Sequence, residues 1–153
     1  MDTLESAKRW LRQHFDARKA VRCPCCGQRV ARDRRSLNSG MARALLWMCK
    51  TSKFTESWIN VPLTAPPYVI ANREYPRLED WGLIRQMPNE DPTKKTSGIW
   101  SVTASGLAFA RREKTVSKFY FMFDRKIAGW SKDEISIDDA LGKKFDYRDV
   151  IGD

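Results

Sequence analysis

Apolar residues recur at helical spacing near the start of the chain, where Leu4, Ala7, Leu11 and Phe15 share one face of a helix over 4–15 with Trp10 beside them. A polar, cysteine-bearing stretch follows to about Arg35. Ser36 or Asn38 then stands where an N-cap is needed for a helix through Met41, Ala44, Leu45 and Met48. That helix also carries Trp47, so it is expected to be a main core element. Residues 55–61 form a second amphipathic stretch, ended by Pro62, and Pro66-Pro67 predicts a turn. The run NREYPRLEDW predicts a short helix closed by Gly82. Residues 83–87 (LIRQM) and 98–103 (GIWSVT) predict strands on either side of the polar loop PNEDPTKKTSG, and ASGLAFARR a further helix. Near the end, SKFYFMF alternates Phe119, Phe121 and Phe123 against Lys118, Tyr120 and Met122. This predicts a hairpin with 127–130 whose Phe face turns to the core.

Helix, strand, long polar loop, strand, helix is the outline of a winged helix. The predicted fold class is therefore α+β, with a winged helix-turn-helix core, an N-terminal helix and cysteine knuckle, and a C-terminal β-hairpin appendage. Three consecutive parts are expected: 1–35, the helix and basic CPCCG knuckle; 36–115, the winged helix; and 116–153, the hairpin and acidic tail. The runs LEDWGLIRQ and IWSVTASGLAFA resemble the recognition-helix end and wing of MarR- and PadR-like winged-helix proteins. Their shared pattern is a leucine, Gly-Leu-Ile, a charged wing, and a strand ending in Thr before a small turn and Gly. Here Leu78, Gly82, Leu83, Ile84, Thr103 and Gly106 hold those places. Residues 75–109, with CPCCG and the closing FDY, are also similar to small uncharacterised phage and prophage proteins. The resemblance implies a fold more than a function. Pro76 departs from the pattern, because it either opens a truncated recognition helix or kinks a longer one. A truncated helix has fewer side chains able to reach base edges in the major groove.

Charge changes the picture next. Lys and Arg number 28 against 19 Asp and Glu, a net +9, and a globular protein this basic usually meets a polyanion. From Arg18 to Arg35 seven basic residues face one acid, whereas Asp133–Asp153 holds seven acids against three basic residues. The hydrophobic share of 42% is enough for a packed core and argues against wholesale disorder. No apolar run approaches a membrane span, and MDTLESAKRW lacks the apolar region of a signal peptide. The expected location is the cytoplasm of a bacterial cell, with a phage as one source of the chain, and neither a membrane nor a small-molecule substrate is expected as a partner.

Cys23, Cys25 and Cys26 are too crowded for separate well-shaped disulfides. Cys23-Pro24-Cys25-Cys26-Gly27 fits the Cys-Pro-x-Cys-Gly turn of zinc ribbons, which sets two thiolates on one tight turn and uses a following Gly to let the backbone pass. No second Cys-x-x-Cys exists, so a zinc site would have to draw on His14, Cys23, Cys26 and Cys49. A Cys-Pro-x-Cys redox motif and a degenerate, metal-free knuckle are the alternatives; the former wants a buried strand before it, which FDARKAVR does not offer.

Catalytic signatures are thin. Neither a phosphate-binding Gly-x4-Gly-Lys loop nor a Gly-x-Ser-x-Gly elbow occurs, and Asp138 and Asp139 read as cap and first-turn residues of a helix. The chain is accordingly expected not to be an enzyme. Of the tryptophans, Trp47, Trp81 and Trp100 fall at core-facing positions, while Trp10, Trp58 and Trp130 are left open. The first functional expectation is a duplex-DNA-binding regulator or accessory factor. In it Arg73, Arg77, Lys94 and Lys95 touch the backbone from helix and wing, and Arg29, Arg32, Arg34 and Arg35 add a second basic surface. The alternative is a phage-type protein-interaction factor, an inhibitor or adaptor of a host nucleic-acid machine, acting on a protein partner or as a homodimer without reading DNA.

Overall fold

In a computed structural model of the chain, the described residues are 3–14, 21–30, 33–93, 97–123 and 125–152. In chain order the first elements are α1 (Leu4–His14), β1 (Val21–Arg22), β2 (Arg29–Val30), β3 (Asp33–Ser36) and α2 (Ser39–Thr51). Then come β4 (Ile59–Asn60), α3 (Val61–Thr64), α4 (Pro67–Ala71), a 3₁₀ turn at Tyr75–Glu79, β5 (Ile84–Gln86) and β6 (Ile99–Val102). The last are α5 (Ala104–Ala110), β7 (Val116–Ser117), β8 (Phe119–Phe123), β9 (Lys126–Trp130), β10 (Glu134–Ile135), α6 (Ile137–Leu141) and α7 (Tyr147–Ile151). The protein is mixed α+β with small antiparallel sheets. None of the described helices is long and apolar enough to cross a membrane.

The chain divides into two compact units, each assembled from two chain segments: Met1–Ser36 with Phe119–Lys132, and Leu37–Lys118 with Asp133–Asp153. This differs from the three consecutive parts expected at 1–35, 36–115 and 116–153. The cause is long-range pairing. In the first unit β3 pairs antiparallel with β8, Arg34 opposite Phe121 and Ser36 opposite Phe119, so the hairpin belongs with the N-terminal segment. In the second, the tail returns as β10 against β7, with Ile135 opposite Val116.

The second unit is built around α2, whose Met41, Ala42, Ala44, Leu45, Leu46, Met48 and Cys49 are all buried. A helix apolar on nearly every side belongs in the middle of a core, and α4, α5, α6, α7, β6 and the 3₁₀ turn pack around it. Asn38, one of the two expected caps, closes its N-terminus by accepting the Met41 N–H at 2.9 Å. The three-stranded sheet runs β4-β6-β5, with Trp100 and Val102 of the central strand buried against α2's side of the unit. The amphipathic stretch 55–61 holds a two-residue strand, and Pro62, expected to end it, lies inside a short helix. Ile59 and Asn60 pair with Trp100 and Ile99, and Pro62 sits in the first turn of α3, where a missing N–H costs nothing.

The NREYPRLEDW stretch condenses to a single 3₁₀ turn with Pro76 in its first turn. Of the two fates open to Pro76, truncation is the one observed, and Leu78 of that turn is fully buried. Gly82 then takes φ +72°, a conformation that suits glycine, and leads directly into buried Leu83 and Ile84. Thr103 caps α5 by accepting the Gly106 N–H at 3.1 Å. In the tail, Ser136 caps α6 through the Asp139 N–H, leaving Asp138 to form a two-pronged pair with Arg112, both bonds at 2.8 Å. Tyr147 donates its hydroxyl to the Ala110 carbonyl at 2.7 Å.

In the first unit, β1 and β2 flank the cysteine turn, and β3, β8 and β9 form a second three-stranded sheet. The expected hairpin is present, but burial does not follow the Phe face, and Trp130 and Ile127 on the Tyr120 side are exposed. Tyr120 is the buried residue of β8, 2% exposed, whereas Phe119 and Phe121 are half-buried and Phe123 is 49% exposed.

Candidate nucleic-acid interface and cysteine turn

Net charge is divided very unevenly between the two units. The first, fifty residues, carries thirteen Lys and Arg against five Asp and Glu, a net +8; the second carries fifteen against fourteen, a net +1. Net field and local cations together set the pull on a polyanion, and both are concentrated in the first unit.

The eight residues expected to meet nucleic acid fall into three groups. Arg29 on β2 and Arg34 on β3 are exposed, and Arg35 beside them is half-buried. Arg34 lies with its guanidinium carbon 3.9 Å from the centre of the Phe119 ring, a cation–π contact. In the second unit Arg73 is exposed, and Arg77 is half-buried with Glu74 at 4.0 Å. Arg32, Lys94 and Lys95 lie outside the described residues.

Residues that the spacing argument assigned to the core complete the charged surface of the first unit. Direct antiparallel partners share a sheet face, so Arg34, Phe121 and Gly129 lie on one side with Ser36, Phe119, Phe123 and Lys126. Phe119 and Phe121 meet edge to face at 5.2 Å. Tyr120 and Trp130 pack against each other on the opposite side, ring centres 5.1 Å apart. The alternation of Phe with polar neighbours did separate the two faces of β8. What it lacked was any sign of which face is covered.

The tryptophans divide as the core argument required for three of them. Trp100 is 2% exposed, and Trp47 and Trp81 pack against the core, Trp81 donating its Nε1–H to the Ser117 carbonyl at 2.8 Å. Of the others, Trp58 is 42% exposed under Arg85, Trp130 is 41% exposed, and Trp10 stacks on His14 at 4.2 Å.

The cysteine turn has the backbone form of a knuckle. The Cys23 N–H bonds the Gln28 carbonyl and the Gly27 N–H bonds the Cys23 carbonyl, both at 2.8 Å, with Gly27 at φ +73°. Backbone N–H groups of Cys26 and then Cys25 point at the Cys23 sulfur and hold its pKa below the ordinary thiol value. That environment suits a thiolate. The other two expected ligands each have surroundings of their own. Cys49 is fully buried in the core of the second unit, its pKa pushed up to about 12 by burial against a smaller opposing pull from Arg111. His14 bonds the Trp10 carbonyl through Nδ1 at 2.8 Å. Among the described residues no three His, Cys, Asp or Glu side chains gather as a metal site. Two thiols on a turn do not make a four-coordinate site, so the donor set fits zinc only in part and no chemistry is assigned to it.

Comparison of the chain with protein-family models, with curated proteins and with solved structures gave no match.

Proposed function

We propose that this protein binds nucleic acid through the phosphate backbone, with the first unit supplying most of the attraction and the second built as a winged-helix core. One observation carries the proposal: a net +8 on fifty residues, with Arg29 exposed on β2 and Arg34 exposed on β3. The winged-helix reading draws support from the order of the second unit, which runs helix, strand, short helices, strand, long loop, strand, with the strands hydrogen-bonded as β4-β6-β5. Where a reading helix would stand there is a single 3₁₀ turn whose Leu78 is spent on the core. Few side chains of such a turn reach into a major groove. The expected behaviour is duplex-DNA binding that is strongly salt-dependent and weakly sequence-selective, as an accessory factor rather than a reader of one site.

Fluorescence anisotropy of a labelled duplex at 50 and 200 mM salt tests this. For six neutralised phosphates the affinity falls about 10³-fold over that interval. An Arg29→Ala/Arg34→Ala variant is expected to lose more affinity than Lys94→Ala/Lys95→Ala. Absence of binding to any nucleic acid at low salt overturns the proposal.

A second reading has its own observation. On the short helices α3 and α4 of the nearly neutral unit, Leu63 is 80% and Ile70 48% exposed. This favours a protein-interaction factor that docks on a nucleic-acid machine, which would bind a protein tightly and free duplex hardly at all.

A further inference from the structure

The sheet of the first unit presents an aromatic face in a basic setting. Phe119, Phe121 and Phe123 follow one another along β8 on one side, and direct cross-strand pairing places Arg34, Ser36, Lys126 and Gly129 on that same side. Phe123 is 49% exposed, and Arg34 and Lys126 are exposed. Gly129 stands opposite Phe121, and a Cβ built there would meet nothing within 4 Å. Gly129 thus presents no side chain opposite Phe121, and the space a Cβ would take is open. An ordinary core face would fill that position with an aliphatic residue.

We infer that this face takes the bases of a single-stranded nucleic acid, with Phe121 and Phe123 as stacking surfaces, Gly129 as the clearance beside them, and Arg34 and Lys126 as phosphate contacts. The inference rests on the nucleic-acid reading above and adds base contact to it. The choice of occupant follows from chemistry. Every base has a π-face that stacks on phenylalanine, and a strand's phosphates need cations at the margins of the aromatic row. In a duplex the base faces are covered by their neighbours, so only an unpaired strand can use the rings. The unit's net +8 favours a polyanion over an uncharged protein surface. The Arg34 guanidinium, already over Phe119, adds a second flat cation on which a base can lie.

The test uses the full chain with three labelled probes, a fifteen-nucleotide oligo(dT), the matching oligo(U) and a duplex of the same length, all at low salt. Wild type is expected to prefer at least one single strand over the duplex. Phe123→Ala and Gly129→Val are each expected to weaken single-strand binding about 5- to 150-fold, the range found when one stacking ring is removed, and to leave duplex affinity within about twofold. Phe123→Trp should restore or strengthen the single-strand binding. Phe123 is 49% exposed and a Cβ at Gly129 meets nothing within 4 Å, so both variants are expected to fold, which thermal melting checks. If a variant melts lower, a 5-iodouracil strand irradiated with the wild-type chain decides instead, with crosslinks expected at Phe121 or Phe123. Single-strand binding that both variants leave intact, or crosslinks confined to the second unit, overturns the inference while the nucleic-acid reading stands. Binding to neither strand nor duplex overturns both, and capture of an acidic protein by this face in place of nucleic acid does the same.

Discussion

Gly106 lies so close to Leu83 that a Cβ at position 106 would stand 2.0 Å from the Leu83 carbonyl oxygen and 2.7 Å from Cγ1 of Val102. The same oxygen accepts the Thr103 N–H at 3.0 Å, fixing the start of α5 to the chain just before β5. Helix propensity alone says that Gly106→Ala stabilises α5 by about 1 kcal/mol. Packing says the reverse, because the obstacle is backbone and cannot swing aside. We expect a loss of about 3 kcal/mol, seen as a fall of about 12 to 24 °C in the thermal midpoint of the second unit's unfolding. An unchanged or raised midpoint would show that β5 and α5 can part without cost.

Asn38 performs two tasks at once. Its Oδ1 caps α2, and its Nδ2 donates to Glu74 ahead of the 3₁₀ turn. Asn38→Ala should cost about 1 to 2 kcal/mol in chemical denaturation. Asn38→Ser keeps an oxygen for the cap and should cost less. Asp is as good a cap as Asn, yet Asn38→Asp sets a carboxylate against Glu74, so it is expected to be worse than Ser and to recover when combined with Glu74→Gln. Equal stability for the Ser and Asp variants would remove Glu74 from the account.

The residues that made the region 78–106 legible in the sequence each encode a local constraint. Leu78 is a buried anchor, Gly82 needs a positive φ, Thr103 is a cap, and Gly106 has no room for a side chain. Such constraints act over a few residues and leave a mark in residue type. The pairing of β3 with β8 leaves none, since Asp33-Arg34-Arg35-Ser36 has no apolar alternation and its partner lies more than eighty residues away. A two-residue strand such as Ile59–Asn60 is too short for period-two alternation to outweigh a helical spacing around it. For the candidate site, charge pointed to Arg29 and Arg34, but the aromatic half was hidden because a Phe row reads as core until the covered face is known. Gly129 inside a strand was the available signal, since a glycine there marks a bulge or a close approach, and β8 and β9 do slip in register beside it.

Cys49 ties stability to alkaline pH. Its thiol is ordinary at 9.0 in the unfolded chain and is pushed up to about 12 in the folded one, burial being the larger cause and Arg111 opposing it. A raised folded value means the native state keeps a proton that the unfolded state releases. The contribution is therefore whole below pH 9 and is lost as pH rises toward 12, at up to about 1.4 kcal/mol per pH unit. Cys49→Ala leaves a small cavity and should be less stable than wild type at pH 8. Its stability should then fall less steeply, so that urea denaturation at pH 8 and 10.5 shows the gap between the two proteins narrowing. A constant gap would mean that the thiol does not titrate with unfolding.

The four thiols should also separate by rate. Cys25 and Cys26 are exposed and Cys23 partly so, while Cys49 is fully buried. A disulfide reagent at pH 7 is therefore expected to modify three thiols in the folded protein and the fourth only after denaturation. Among the three, Cys23 should react at lower pH than an ordinary thiol, because the Cys26 and Cys25 N–H groups favour its thiolate. Cys23→Ser should remove that low-pH phase and leave the slower reactions of Cys25 and Cys26 in place. If the low-pH phase survives in Cys23→Ser and disappears in Cys26→Ser, the turn activates its second sulfur rather than its first, and the N–H groups are directed elsewhere.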